Sequence, residues 1–357
     1  MNDNKTVELL ERERQIRRDM SDFLTYRYFV SGKSAFSKSH PINNVSLEFA
    51  RTPVKGCKDL LCSIENQIKE AAKDGKAAIA LSGGIDSAIM AKFMPKGSVA
   101  YTFRCVVPGK QVVDESERAA LYAKECGLEH KIVDITWEDI IAVIDKLMLH
   151  KGAPIHSIEA QIYIASLKAK EDGFEKFVFG ENADIIYGGF DGLLSKDWLV
   201  GEFIERYSFV LPYKVMYHPE PDYTPFYNIE KNGYIDPHEF INIVFRQESL
   251  GSYGNACETA GIELIAPCSN TVMAEPLDYM RVRNGDSKYI IREAFEELYP
   301  GWEIPVKTPM PRATNEWMES WDGPVRKEFI PNCQKGMSGD QKWMIYVLER
   351  YLNLMET

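Results

Sequence analysis

The sequence predicts an α/β fold: a parallel sheet covered by helices on both faces, followed by a mainly helical second half. Two observations carry this. Between residues 76 and 180, short apolar runs of strand length alternate with longer runs of helical spacing, the rhythm of a doubly covered parallel sheet. From about residue 190 onward the apolar spacing is mainly helical.

The elements follow in order. Val7, Leu10, Ile16, Met20, Phe23 and Leu24 recur among charges and predict an amphipathic helix over 6–24. The aromatic and β-branched run LTYRYFVSGKSAFSK (24–38), broken at Ser31-Gly32, predicts a short strand or hairpin. Leu60, Leu61, Ile64, Ile68 and Ala71 predict a helix over 58–74. KAAIAL (76–81), SVAYTF (98–103), KIVDI (131–135) and FVFG (177–180) read as buried strands. Between them, 86–94, 114–127, 137–149 and 158–170 read as helices, with Gly127 as a glycine stop. Aromatic loops fill the region near 207–235. Residues 1–57 thus form an extension of helix and short strand, and 58–357 one domain.

Composition narrows the function. The 357 residues are 45% hydrophobic and 27% charged, ordinary globular values, with a net charge of −11. That charge argues against a broad grip on nucleic acid, which needs a basic face to displace counterions. No apolar run approaches the roughly 20 residues that span a bilayer, and the charged N-terminus lacks a signal peptide's apolar core. The seven cysteines include no CxxC pair and the six histidines no metal-type spacing, so neither zinc nor redox chemistry is indicated. Reduced cysteines serving as small hydrophobes suit a cytoplasmic setting.

The strongest local signal is Leu81-Ser82-Gly83-Gly84-Ile85-Asp86-Ser87, between a strand and a helix. Two glycines let the backbone approach an anion closely. The helix start offers free N–H groups and a favourable dipole. Ser82 and Ser87 add hydroxyl donors, and Asp86 implies a divalent cation between carboxylate and phosphates. Taken alone, the loop also fits a strand–turn–helix whose Ser or Asp merely caps the helix. A rival phosphate motif, Gly32-Lys33-Ser34, lacks the earlier glycine it needs, since that position is Arg27.

Ser82–Ser87 resembles the SGGxDS signature of the ATP pyrophosphatases, a superfamily that includes asparagine synthases, GMP and NAD synthetases, and tRNA-modifying enzymes. The run from Phe179 to Phe190 (FGENADIIYGGF) resembles the SGEGADELFGGY motif of asparagine synthases and the related β-lactam synthetases. Ser287–Phe295, continuing to Pro305-Val306-Lys307, resembles that family's lysine-bearing run. Weaker likenesses cover 154–173, the GIELIAPCSN strand at 261–270 and the 24–38 junction. The resemblance implies an adenine nucleotide alpha hydrolase-like fold. It implies that ATP is bound by Leu81, Ser82, Gly83, Gly84, Asp86, Ser87 and Gly180, with Leu81 and Phe103, at the ends of the first two strands, taken as adenine walls. It further implies magnesium on Asp86 and Asp184, Lys288 at the pyrophosphate, Glu181 as proton acceptor, and Lys307 against the adenylate's developing charge.

The implied reaction is adenylation of a carboxylate followed by transfer of the acyl group to ammonia or an amine. No glutaminase domain is expected, because position 2 is Asn2 where that domain needs a cysteine. Ammonia would then come from solution or from a separate glutaminase, and self-association stays open. Neither nucleic acid nor membrane is an expected partner. The chain departs from the family pattern at Asn182 (glycine there), Ile185 (glutamate), Pro267-Cys268-Ser269-Asn270 (PFLD) and Val306 (proline), so the acid need not be aspartate. Two other readings stay open: an RNA-modifying or sulfur-transferring relative, and a non-catalytic nucleotide-binding protein.

Overall fold

A computed structural model describes residues 2–32, 34–36 and 51–356. Five strands form one parallel sheet: β1 (Ala77–Ala80), β2 (Val99–Cys105), β3 (Glu129–Ile135), β4 (Lys176–Val178) and β5 (Glu263–Ile265). Their spatial order is β3-β2-β1-β4-β5. Register is fixed by pairs such as Ala80 with Tyr101 and Val178 with both Ile79 and Ile265.

The two-residue period of a strand sends alternate side chains into separate cores. Ala78, Ala80, Phe177 and Phe179 enter one core with Tyr253, Trp343 and Tyr351. Ala77, Ile79, Leu81 and Val178 enter the other with Leu60, Ile64, Ile89 and Phe295. Helices therefore cover both faces. On the second face lie α2 (Cys57–Ala72), α3 (Ile85–Phe93), α4 (Ser116–Cys126) and α8 (Tyr289–Leu298). On the first lie α5 (Trp137–Lys151), α6 (Glu159–Glu171), α7 (Arg246–Ala260) and α9 (Gly339–Glu356). Gly127 ends α4 at φ 68°, as its stop signal predicts.

The N-terminal helix α1 runs Asn2–Tyr26, longer than its apolar spacing predicts. Its last turns bury Met20, Phe23 and Leu24 in the same core as the α9 residues Trp343 and Tyr351. The strand or hairpin expected at 24–38 is not formed where the chain is described. Residues 24–26 close α1 and 27–32 are turns, because Phe29 and Phe36 pack on Tyr351 in place of a cross-strand partner. Lys33 and residues 37–38 of that run lie outside the described residues. Two small sheets escape sequence reading. Thr52–Val54 pairs parallel with Thr271–Met273, and Trp198–Leu199, Glu230–Lys231 and Tyr234–Ile235 form an antiparallel patch. Both are too short to show periodicity. Beside that patch Tyr26, Phe203, Tyr207, Phe226 and Phe240 form a third, aromatic cluster.

The order β3-β2-β1-β4-β5 reverses direction at β1 and β4. Loops leaving the carboxyl ends of these two strands therefore diverge and open a crevice. Those loops are 81–84 and 179–182, the two motifs singled out above.

Because α1 shares the first core, Phe23→Ala should cost roughly 3–5 kcal/mol. Urea unfolding followed by circular dichroism should show one transition at a lower midpoint. An unchanged midpoint would mean that α1 contributes nothing to the cooperative unit.

Candidate active site

The phosphate-type loop is held open by its own hydroxyls. The Ser82 and Ser87 Oγ atoms stand 3.0 Å apart, the Ser82 N–H donates to Ser87 Oγ at 3.0 Å, and the Gly84 N–H donates to Ser82 Oγ at 3.1 Å. The Gly83 N–H donates instead to the Glu115 carboxylate at 3.3 Å. Burial raises the pKa of Glu115, against the hydrogen bond from Gly83.

The 179–190 loop docks directly on the start of α3. A Cβ at Gly180 would stand 2.8 Å from the Ser87 backbone nitrogen, so only glycine allows the approach. Asn182 has φ 68°, the left-handed conformation its glycine counterpart would adopt freely and asparagine tolerates best among the rest. Its Nδ2 donates to Ser269 Oγ at 2.9 Å, so two departures from the family pattern touch each other.

Three motifs distant in sequence converge here. Lys288 Nζ donates to both carboxylate oxygens of Asp86 at 2.6 and 2.5 Å and lies 3.1 Å from Asp184 Oδ1. Lys307 Nζ donates to Asp184 Oδ1 at 2.8 Å and to the Gly189 carbonyl. A Cβ at Gly189 would overlap the Asp184 carboxylate and the Lys288 side chain. Burial disfavours the Lys288 charge, but Asp86 and Asp184 outweigh it and hold the ammonium protonated. Burial likewise opposes the Asp184 charge, yet Lys288 and Lys307 prevail and its pKa falls. Asp86 goes the other way, raised by burial against the pull of Lys288.

Glu181 sits deeper. It accepts hydrogen bonds from Ser249 Oγ and from Tyr253, both on α7. Burial dominates and raises its pKa, moving it toward the range of a useful base.

These residues line a cleft of about 830 Å³, a size typical of small-molecule sites. Every site residue expected from the sequence reaches it: Leu81, Ser82, Gly83, Gly84, Asp86, Ser87, Phe103, Gly180, Glu181, Asp184, Lys288 and Lys307. Sequence reading missed Arg27, His156 and Arg312, which also line it. Arg312 is paired with Asp340 at 2.6 Å. Burial, with Arg27 and Arg312 nearby, drives the His156 pKa well down, so its ring is neutral. Nothing in their local sequence marks these three, because each comes from a different loop.

Asp86 and Asp184 supply two hard oxygen donors bridged by one ammonium, and no group of three or more candidate ligands occurs among the described residues. Two carboxylates suit Mg2+, which takes its remaining ligands from phosphates and water. Among the described residues no cysteine lines this cleft, and no helix is long and apolar enough to cross a membrane.

Residues 63–225 match the asparagine synthase family model, so the resemblance read from the sequence is met over that span. The span includes both loops but not Lys288 or Lys307. No curated protein matches the chain. Among solved structures it is similar to an NH3-dependent NAD synthetase from Campylobacter jejuni, at 15% identity and TM-score 0.26, covering 38% of this chain and 61% of that one. An NMN synthetase from Francisella tularensis gives 12% identity and TM-score 0.28, covering 71% of this chain and 99% of that one. A U34-tRNA thiolase from Methanococcus maripaludis gives 16% and 0.26, covering 70% and 83%.

The raised Glu181 pKa has a stability consequence. A carboxyl whose folded pKa exceeds its unfolded value favours folding at low pH and loses that contribution as pH rises through the folded pKa. Glu181→Gln should therefore gain Tm relative to wild type as pH is raised from 4 to 8 in thermal melts. A Tm difference that does not change with pH would show that Glu181 ionises in the fold as readily as in the unfolded chain.

Proposed function

We propose that this chain is an ATP-dependent ligase that adenylates a carboxylate, releases pyrophosphate, and passes the acyl group to nitrogen. The observation that carries this reading is the convergence of Asp86, Asp184, Lys288 and Lys307 at the mouth of the phosphate-type loop, with buried Glu181 behind them.

In this reading the substrate acid's oxygen attacks the α-phosphorus of ATP. The P–O bond to pyrophosphate breaks, and its electron pair leaves with pyrophosphate. The Ser82 and Ser87 hydroxyls and the N–H groups from Gly83 to the start of α3 receive the departing anion. Glu115 must release the Gly83 N–H, and Ser82 Oγ the Gly84 N–H, for phosphate to take their place. Lys288 holds both carboxylates, so it would yield those oxygens to a bound cation and turn its charge to the phosphates. Mg2+ bound by Asp86 and Asp184 would supply charge neutralisation for the phosphates.

Lys307 is the more exposed cation, about half exposed, on the irregular 303–313 segment. That position suits a residue that meets the acyl-adenylate and stabilises charge as the tetrahedral centre forms. Glu181 accepts the proton of the attacking nitrogen. The C–N bond forms, the acyl C–O bond breaks, and AMP leaves with that electron pair. Binding both reactants side by side supplies much of the acceleration. The buried cysteines weigh against sulfur transfer, since burial raises the thiol pKa of Cys105, Cys257 and Cys268 and keeps them protonated. The same reading places the protein in the cytoplasm.

The test is ATP–pyrophosphate exchange with Mg2+ across a panel of carboxylic acids, run with and without ammonium. Exchange should appear with one acid and fall roughly 100-fold or more in Asp86→Ala, on the scale of removing a transition-state contact. Lys307→Ala should lower amide formation more than exchange. Neither exchange nor AMP with any acid, together with no Mg2+-dependent ATP binding, would overturn the reading.

A further inference from the structure

A second cleft, also of about 830 Å³, lies against the first. The two share Arg27, Phe190, Asp191, Phe245 and Lys307, so they meet at the lysine assigned to the acyl-transfer step. The catalytic scheme above leaves this second space without an occupant.

Its lining carries unmet hydrogen-bonding capacity. Arg27 is 9% exposed, and its Nε finds no hydrogen-bond acceptor among the described residues. Glu248 lies 3.9 Å from that nitrogen, near enough for attraction but too far to accept its proton. The buried Ser208 hydroxyl has no partner among the described residues. The buried Tyr207 hydroxyl lies beside the guanidinium without closing a well-formed hydrogen bond. A buried donor left unsatisfied is costly, because its lost hydration is not replaced. All three belong to residues that line the cleft, and a small side-chain rotation toward it would let one ligand meet them.

All three can donate, so the complementary group is an acceptor. Charge agrees. Arg27, Arg206, Lys214 and Lys307 line the cleft against two carboxylates, Asp191 and Glu205. Glu205 already accepts from Tyr213 at 2.9 Å.

Arg27 is also held in place at a cost. It has φ 68°, a left-handed backbone that a long side chain rarely adopts. Phe209 and Phe245 sandwich its guanidinium, each ring centroid 4.9 Å from Cζ. Phe245 comes from a π-helical turn at Ile241–Phe245, an irregularity that occurs often at functional sites.

Resting on the ligase reading, we infer that this second cleft seats the nitrogen nucleophile. The nucleophile is an amine bearing an anionic oxygen group, carboxylate or phosphate, held by Arg27, Ser208 and Tyr207; it is not free ammonia. Ammonia would leave the donors unmet. An acidic amine anchored at Arg27 presents its nitrogen toward Lys307, where the two clefts join. The amine nitrogen then bonds to the acyl carbon, the bond to AMP breaks with its electron pair going to AMP, and the proton passes to Glu181.

The full chain is tested with three probes, 4-aminobutyrate, O-phosphoethanolamine and butylamine, beside ammonium. Binding is read by saturation-transfer NMR, and product by mass in reactions containing ATP, Mg2+ and the acid found by exchange. One acidic amine should bind and give product, and butylamine should do neither. Which one works separates carboxylate from phosphate. Arg27→Gln should raise its KM at least 10-fold with the KM for ATP unmoved, Arg27→Lys should recover part of the loss, and Ser208→Ala should give a smaller rise. The wild-type probe comparison stands even where a variant folds poorly. Equal product from ammonium and the acidic amines, or equal binding of butylamine, would overturn the inference. Selective binding of an acidic amine with no exchange and no AMP would overturn the ligase reading while leaving the cleft's ligand class in place.

Discussion

Two carboxylates, Asp86 and Asp184, are forced together where the sheet reverses direction, and the site depends on how that charge is met. Coulomb repulsion at such range in a partly dry cleft would push one of them to neutrality. Lys288, buried and bridging both, prevents it for Asp184, and Lys307 adds a second cation from the opposite side. The cluster is close to balanced as it stands. The geometry that brings it about is backbone geometry: Gly180 and Gly189 have no side chains because the positions their Cβ atoms would take are occupied by α3 and by the cluster itself.

Strain marks the same region. Six non-glycine residues have positive φ among the described residues, and three of them, Arg27, Asn182 and Lys288, line the first cleft. Each is a position where a polar side chain is retained although glycine would relieve the backbone. At Asn182 the side chain ties the acidic loop to Ser269. At Lys288 it supplies the bridging ammonium, immediately ahead of α8. At Arg27 it carries a cation from the end of α1 into the wall between the two clefts. The N-terminal helix is thereby both a structural element, through Phe23 and Leu24 in the core, and the source of a cleft residue.

Two of the departures from the family pattern lie together. Asn182 and Ser269 are hydrogen-bonded to each other, and Arg246 Nη2 donates to the Ser269 carbonyl at 2.9 Å. A substitution at the acidic loop and one after β5 thus form a single local rearrangement.

Much of this was legible in the sequence, for a physical reason. The strand–helix alternation of 76–180 and the glycine-bearing loops are local: period, glycine placement and helix starts act over a few residues, and each was read without knowledge of the fold. So were Asp86, Glu181, Asp184, Lys288 and Lys307, because their motifs are contiguous. The 24–38 run misled, because its aromatic residues serve packing on Tyr351 rather than strand pairing. Arg27, His156, Arg312, Ser208 and Glu115 could not be read, since what makes each matter is a neighbour distant in the sequence. The sequence by itself determined the sheet, the phosphate-type loop and the charged residues around it. That two clefts meet at Lys307, with Arg27 just past the end of α1 standing between them, was set by packing, since burial and proximity across the chain are encoded in no local pattern.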